Sequence, residues 1–249
     1  MVRSKNMQGE IVRSLKRDII TGKYTEGQSL PSAGLAEKFG VGQSVVREAI
    51  TVLKADGFIQ VKRGRNGGVI VEDRAMDILT DRLMERLLMG EVAFEQTAKL
   101  RLVLETDACR AGAGSADATT VARLRELNEE MLVARDFAEH TKLNNEFHVT
   151  IGGMGGNKLQ AIFIKLLMHF TARAAGLISP DFKGMHSDDE HEPVIQALAE
   201  RDAERACHFL RKHIENSNRR VGRLEKDFFS RAIRESFSEP EKTTGIQGR

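Results

Sequence analysis

The stretch from Leu30 to Val71, LPSAGLAEKFGVGQSVVREAITVLKADGFIQVKRGRNGGVIV, constrains the fold more than any other part of this 249-residue chain. Leu35, Ala36 and Phe39 form a short apolar stripe, Gly40 stands where a helix stops, and Val41 restarts a periodic run. In the second run Val46, Ala49, Ile50 and Leu53 recur at steps of three and four, so they face inward. Gln43, Ser44, Val45 and Arg47 are left near the outer, N-terminal end of that helix. In a helix-turn-helix this end reaches base edges in the major groove, where arginine can fork onto guanine and glutamine onto adenine. Two short β-prone runs follow, at 58–61 and 69–71, with Lys62, Arg63, Gly64, Arg65, Asn66, Gly67 and Gly68 between them. A basic two-stranded wing of this kind suits phosphate or minor-groove contact.

The charge distribution points the same way. The whole chain carries a formal charge of only +2. Residues 1–71 hold twelve Lys or Arg against six Asp or Glu, so this segment is +6 and the remaining 178 residues are −4. The cations are concentrated where the motif lies, as an electrostatic footprint on DNA requires.

The length leaves ample chain for a second core behind a DNA-binding unit of residues 1–72 and a joint at 73–76. No apolar run of transmembrane length and no leader with a cleavage site is evident, so a soluble, cytoplasmic protein is expected. Cys109 and Cys207 lack any CxxC spacing and read as buried core.

Beyond Glu72 the strand signals stop. Amphipathic runs follow at 75–90, 94–113, 117–134, 137–154, 157–177, 189–200 and 203–225, punctuated by Gly90, Gly112, Gly114, Gly155, Gly156 and Pro180. The predicted fold is mainly α: a winged helix-turn-helix followed by an all-helical bundle over residues 77–237. Phe228, Phe229, Ile233 and Phe237 form either a last amphipathic helix or an arm for a partner subunit, and the polar end 238–249 reads as disordered.

All seven histidines fall in the helical region. Asn144 and His148 are four residues apart and project from one face of a helix, a geometry in which two side chains can share a metal. His191 starts the next candidate helix but one and His213 lies on the helix after it; helices converging in a bundle can bring three imidazoles together. His208 is rotated well away from the His213 face, and with His140, His169 and His186 it reads as surface or satisfied core.

The N-terminal segment resembles the winged helix-turn-helix of the GntR family of bacterial transcription regulators. The likeness lies in Ile11, Leu15 and Ile19 with Gly22-Lys23-Tyr24, in Leu30-Pro31-Ser32, Leu35-Ala36-Glu37 and Gly40-Val41, and in Val46-Arg47-Glu48-Ala49. It implies DNA contacts from Ser32, Gln43, Ser44, Val45 and Arg47 and from the wing residues Lys62, Arg63, Arg65, Asn66 and Gly67. Two departures stand out. Ala33-Gly34 replaces a longer, arginine-containing segment, and Gln43 stands where the family usually has arginine, so only Arg47 is retained of three DNA-directed arginines.

The remainder resembles the FCD ligand-binding domain of the FadR-type members. The residues that carry this are Leu100-Arg101-Leu102 with Glu105, Leu143-Asn144-Asn145-Glu146-Phe147-His148, Gly156-Asn157, Glu190-His191 and Arg211-Lys212-His213. The resemblance implies a divalent metal on Asn144, His148, His191 and His213, with Asn144 in place of the more frequent aspartate. It also implies a small organic acid held by the metal and by a cation such as Arg101. Arg101 has a plainer reading as the partner of Glu105, one helical turn later. Three imidazoles and an amide leave the metal's charge uncompensated, and an anionic effector could supply what is missing. Zinc is the expected metal; nickel, manganese and iron also suit these ligands.

These features favour a homodimeric repressor released from a near-palindromic operator by an organic acid. A constitutive dimeric DNA-binding protein without effector remains open. So does a metal-dependent hydrolase, although HExxH, phosphate-loop, dinucleotide-binding and nucleophile-elbow patterns are all missing from the sequence. Glu146 points away from the Asn144 and His148 face, whereas Glu190, next to His191, is a possible acid or base.

Overall fold

A computed structural model describes residues 2–30, 32–62, 68–178 and 190–237, with side chains described outside 2–6, 32–33, 177–178 and 221–237. The expected wing-tip residues Arg63, Gly64, Arg65, Asn66 and Gly67, the bystander His186 and the tail 238–249 lie outside the described residues. Contacts divide the chain into two compact units, Met1–Arg82 and Leu83–Arg249.

The first unit begins with α1 (Val2–Ile20), β1 (Ser29–Leu30), α2 (Ser32–Phe39) and α3 (Gln43–Ala55), and continues with β2 (Ile59–Lys62) and β3 (Gly68–Val71). Its core joins Ile11 and Leu15 of α1 to Leu35, Val46, Ala49, Leu53, Ile59, Val69 and Val71. Each apolar side chain of this size contributes about 1.5–3 kcal/mol when fully buried. The α2–α3 turn depends on Gly40, whose φ of 61° lies in the left-handed region. There the Val41 amide donates to the Ala36 carbonyl at 3.0 Å, closing the end of α2. Ile50 packs on this core only half-buried, whereas Val46, Ala49 and Leu53 are fully inside.

The wing hairpin is antiparallel, with Ile59 opposite Val71 and Lys62 opposite Gly68. A third strand, beyond the two the sequence suggested, completes the sheet in the order β1-β3-β2. Ser29 and Leu30 are too short a run to show period-2 patterning, but they lie opposite Ile70 and Val69 and occupy the free edge of β3. The expected joint at 73–76 is tied to this unit: the Arg74 amide donates to the Gly57 carbonyl at 2.9 Å. Gly57 is required there, because its φ is 79° and a Cβ would come within 2.6 Å of Ile78 Cδ1.

The second unit is helical in all its described elements. It takes in the end of α4 (Ala75–Leu88), then α5 (Phe94–Ala113), α6 (Ala118–Leu132), α7 (Phe137–Met154), α8 (Lys158–Ile178), α9 (Glu192–Ala199) and α10 (Ala203–Phe237). The starts of α6 and α7 are set by Asp117 and Asp136, whose carboxylates accept from the Thr120 amide at 2.7 Å and the Glu139 amide at 2.8 Å. Helix α10 runs unbroken to Phe237, so the segment carrying Phe228, Phe229, Ile233 and Phe237 is its continuation, not a separate helix.

Two close approaches fix the helices that bear the site. Gly112 of α5 faces the Met154 backbone so tightly that a Cβ would overlap it, and Gly155 at the end of α7 lies against Ala108. This contact lays α5 along α7, so that Arg101 and Glu105 of one face His148 of the other. Phe147, Ile151, Leu210 and Ile214 fill the surrounding core with Cys109 and Cys207, which are buried free thiols as expected. Among the described residues no helix is long and apolar enough to cross a membrane.

Candidate metal centre and nucleic-acid interface

On the first unit, Gln43, Ser44 and Arg47 are exposed along the start of α3, on the side opposite the buried Val46, Ala49 and Leu53. Val45 differs from its neighbours. It is half-buried and packs against the core, so only part of its surface is available to a ligand. Lys62 is exposed at the end of β2. Ser32 opens α2, and its side chain lies outside the described residues.

In the second unit, α7 supplies Asn144 and His148, the residue before α9 supplies His191, and α10 supplies His213. The structure brings the three histidines together: one ligand atom from each lies within 4.8 Å of the others, and all three side chains are buried. The rings of His191 and His213 are 4.4 Å apart at their centroids, and those of His148 and His213 5.1 Å. His191 is the N-terminal boundary residue of α9, so the start of that helix fixes its place. Asn144 lies one turn before His148, and its Oδ1 is buried without a hydrogen-bond partner.

Carboxylates fix the ring tautomers. His148 Nδ1 is 2.5 Å from Glu105 Oε2, and His213 Nδ1 is 3.1 Å from Glu190 Oε2. Each Nδ1–H therefore donates to a carboxylate, which leaves a lone pair on each Nε2. Those two Nε2 atoms face each other at 3.1 Å. Two lone pairs at that distance repel unless a positive charge lies near them. Arg101 supplies one, with Nη2 3.0 Å from His148 Nε2. Two nitrogens bound to one ion at about 2.1 Å are themselves about 3.0–3.4 Å apart, so this spacing suits a shared cation. Carboxylates behind ligating imidazoles are also the usual way of orienting such rings.

Electrostatics agree with a site of neutral donors. Burial holds the His191 and His213 imidazoles well below their ordinary pKa, and the neighbouring histidines add to the effect. Burial pushes the Glu105 carboxyl up, while the charge and hydrogen bond of Arg101 pull it back. Asn144 and the three histidines thus fit a divalent cation: neutral imidazoles, an orphaned amide oxygen and rings aimed by acids.

Of the two readings of Arg101, the structure shows the pairing with Glu105. Its Nε donates to Glu105 on the same helix, while its Nη2 reaches the triad. Glu146 pairs with Arg123 at 2.6 Å, away from the triad. His208 is exposed against Phe209, and His140 and His169 are partly buried outside the triad. Sequence reasoning missed the role of Glu105 as the acid behind His148. It also missed the cluster in which Glu190 accepts from His213, from Asn216 at 3.0 Å and from Arg220 at 2.8 Å. The steps of three and four between His213, Asn216 and Arg220 were the available signal, since they share one face of α10.

Comparison with known proteins agrees with both units. The sequence model of the gntR family of bacterial regulatory proteins matches residues 7–69, and that of the FCD domain matches residues 96–216. The Uxu operon regulator of Haemophilus influenzae is 23% identical over 228 residues, covering 85% of this chain and 83% of its own. The Glc operon transcriptional activator of Escherichia coli is 25% identical, over 86% of this chain and 89% of its own. The HTH-type transcriptional regulator LutR of Bacillus subtilis is 26% identical, over 80% and 93%. The solved structure of Streptococcus agalactiae GntR shares the fold, with a TM-score of 0.56, 22% identity and coverage of 85% of this chain and 99% of that one. The chain belongs to the gntR family of bacterial regulatory proteins and carries an FCD domain behind its helix-turn-helix.

Proposed function

We propose that this protein is a FadR-type, homodimeric transcription repressor that leaves its operator when a small organic acid binds beside a divalent cation, most simply zinc. The observation that carries this reading is the buried triad of His148, His191 and His213, with Arg101 held against its Nε2 face. The triad would hold the cation with Asn144, and the cation would supply a Lewis-acidic contact for a carboxylate. Arg101 would offer the second contact, because guanidinium and carboxylate match as a two-pronged pair. The exposed edge of α3, with Gln43, Ser44 and Arg47, would read bases, and the wing from Lys62 through Arg63, Arg65, Asn66 and Gly67 would hold the backbone. Two copies place two such heads on one operator. The acid must bind the released form more tightly than the DNA-bound form for release to occur. Names among the relatives that refer to operons and a regulon fit a transcription regulator, one of them being an activator.

The acids near the triad argue against a hydrolase. Glu190 is taken up by His213, Asn216 and Arg220, Glu105 by Arg101 and His148, and Glu146 by Arg123. None is left as a positioned base beside an open coordination place. The experiment selects DNA fragments bound by the zinc-loaded protein from a random pool, then adds a panel of organic acids. Release by at least one acid, lost on chelation, is the expected result. Selected fragments that stay bound under every acid would favour a constitutive DNA-binding protein, and turnover of an acid would favour the enzyme.

A further inference from the structure

We infer, resting on the homodimer reading above, that a second copy of this chain docks on the outer face of α5 and α8, centred on Leu100, Val103, Leu159, Ile162 and Phe163. These five large apolar side chains are between 46% and 63% exposed. Their spacing puts them on one stripe of each helix: Leu100 and Val103 are three apart on α5, and Ile162 and Phe163 follow Leu159 by three and four on α8. The two stripes join into one surface. Phe94 stacks on Phe170 with ring centroids 6.4 Å apart, whereas Gln160 Nε2 donates to the Leu104 carbonyl and to Asp107 at 2.9 Å each. Those pairings make α5 and α8 antiparallel and set Val103 level with residues 159–163. Leu104, Ala108, Ile164 and Met168 close the seam beneath.

Among the described residues the other exposed large apolar side chains are scattered. Ile20, Val61 and Leu79 stand singly in the first unit, while Leu88 with Met89 and Leu132 with Val133 form pairs at the ends of α4 and α6. The five side chains on α5 and α8 together present on the order of 450 Å² of apolar surface, a size at which such a patch is commonly functional. With the stems of Lys99, Lys158 and Lys165 around it, the face reaches about the 800 Å² per partner of a standard specific interface. Charge favours a second copy as the occupant. Helix α8 has no Asp or Glu between 158 and 178 and presents Lys158 and Lys165, while α5 presents Asp107 one turn from Val103. Lys99 is already held by Glu95 at 2.8 Å. A two-fold contact that lays α5 of each copy along α8 of the other sets the apolar patch on itself and turns Asp107 toward a lysine-bearing helix twice.

Sedimentation velocity of the full chain over a range of concentrations, with and without selected DNA, tests this. The parent should be a dimer at micromolar concentration. Val103→Glu and Phe163→Glu each put unpaired charges into the contact from both copies and should raise the dimer dissociation constant about a hundredfold or more. Leu88→Glu and Val133→Glu, at exposed positions outside the face, should leave it at the parental value. Arg101 and Glu105 lie on the buried side of α5, so none of these substitutions touches them. Should a glutamate variant lose its helical content, Leu100→Ser and Ile162→Ser carry the same test with a smaller shift. A parental dimer whose dissociation constant is unmoved by folded Val103 and Phe163 variants, or moved equally by the Leu88 and Val133 variants, overturns the proposal and leaves the homodimer reading intact. A parent that is monomeric in solution overturns it as well; if that parent also occupies selected DNA as a single copy, the homodimer reading itself falls. A monomer that cosediments with phosphatidylglycerol vesicles and loses this on Phe163→Glu would assign the face to a membrane surface instead.

Discussion

The two units place their candidate residues differently, outside the core in the first and within it in the second. In the DNA-binding unit Val46 and Arg47 are neighbours in sequence, yet one is buried and the other exposed, so the residues that build α3 are not the ones that would read DNA. In the helical unit the candidate residues are themselves core: Arg101 is 1% exposed, Glu105 and His148 0%, and His191 and His213 3% and 2%. Polar groups so deep must be satisfied by one another. Stability and function are therefore separable in the first unit and bound together in the second.

Breaking the triad tests that contrast hardest. His148→Ala with His213→Ala should abolish stoichiometric metal in elemental analysis of the folded protein; undiminished metal would remove these residues from the site. Glu105→Ala should lower unfolding stability by about 3–5 kcal/mol in a denaturant titration, because it strands the buried Arg101 charge and the Nδ1–H of His148. A loss under 1 kcal/mol would show that the network is not structural. Arg47→Ala should leave stability within about 0.5 kcal/mol, as an exposed substitution does. It should nevertheless weaken specific DNA binding by about 1–3 kcal/mol. An Arg47 variant that binds selected DNA like the parent would take the residue out of the readout.

Acid should separate the units as well. The folded pKa of both His191 and His213 lies below the ordinary 6.5. The unfolded chain then binds more protons, and the stability these groups contribute is present above pH 6.5 and lost as pH falls through the folded values. Each imidazole contributes up to about 1.4 kcal/mol per pH unit in that window. Metal-free protein should show it as a falling denaturation midpoint of the helical unit, and a flat midpoint from pH 7 to 5 would contradict the burial argument. The smallest expected effect is at the wing: Lys62→Ala should lower the salt slope of DNA binding by about one. An unchanged slope would place Lys62 away from phosphate.

The helical runs were legible because apolar spacing and glycine breaks are local. The observed helices begin within a few residues of the predicted ones, and α5 and α7 match at both ends. Strand β1 escaped because two residues have no period, and its place is set by the partner β3. The anchoring of Arg74 on Gly57 is likewise tertiary and invisible in the local pattern, and α10 runs on past the predicted 225 to Phe237. In the site, Asn144 and His148 were legible as a helical pair. The carboxylates that aim the rings were not, because Glu105 lies 43 residues from His148 in the chain and Glu190 lies 23 from His213. Only packing brings them together.

The central claim is that the buried triad is a cation site through which an acid acts. The most direct measurement is the thermal midpoint of zinc-loaded protein against a panel of small organic acids, beside a chelated sample, since a ligand of the folded state raises the midpoint. The account predicts a rise with acid that disappears on chelation. A midpoint indifferent to both zinc and acids would contradict it and leave the helical unit as a dimerisation domain alone.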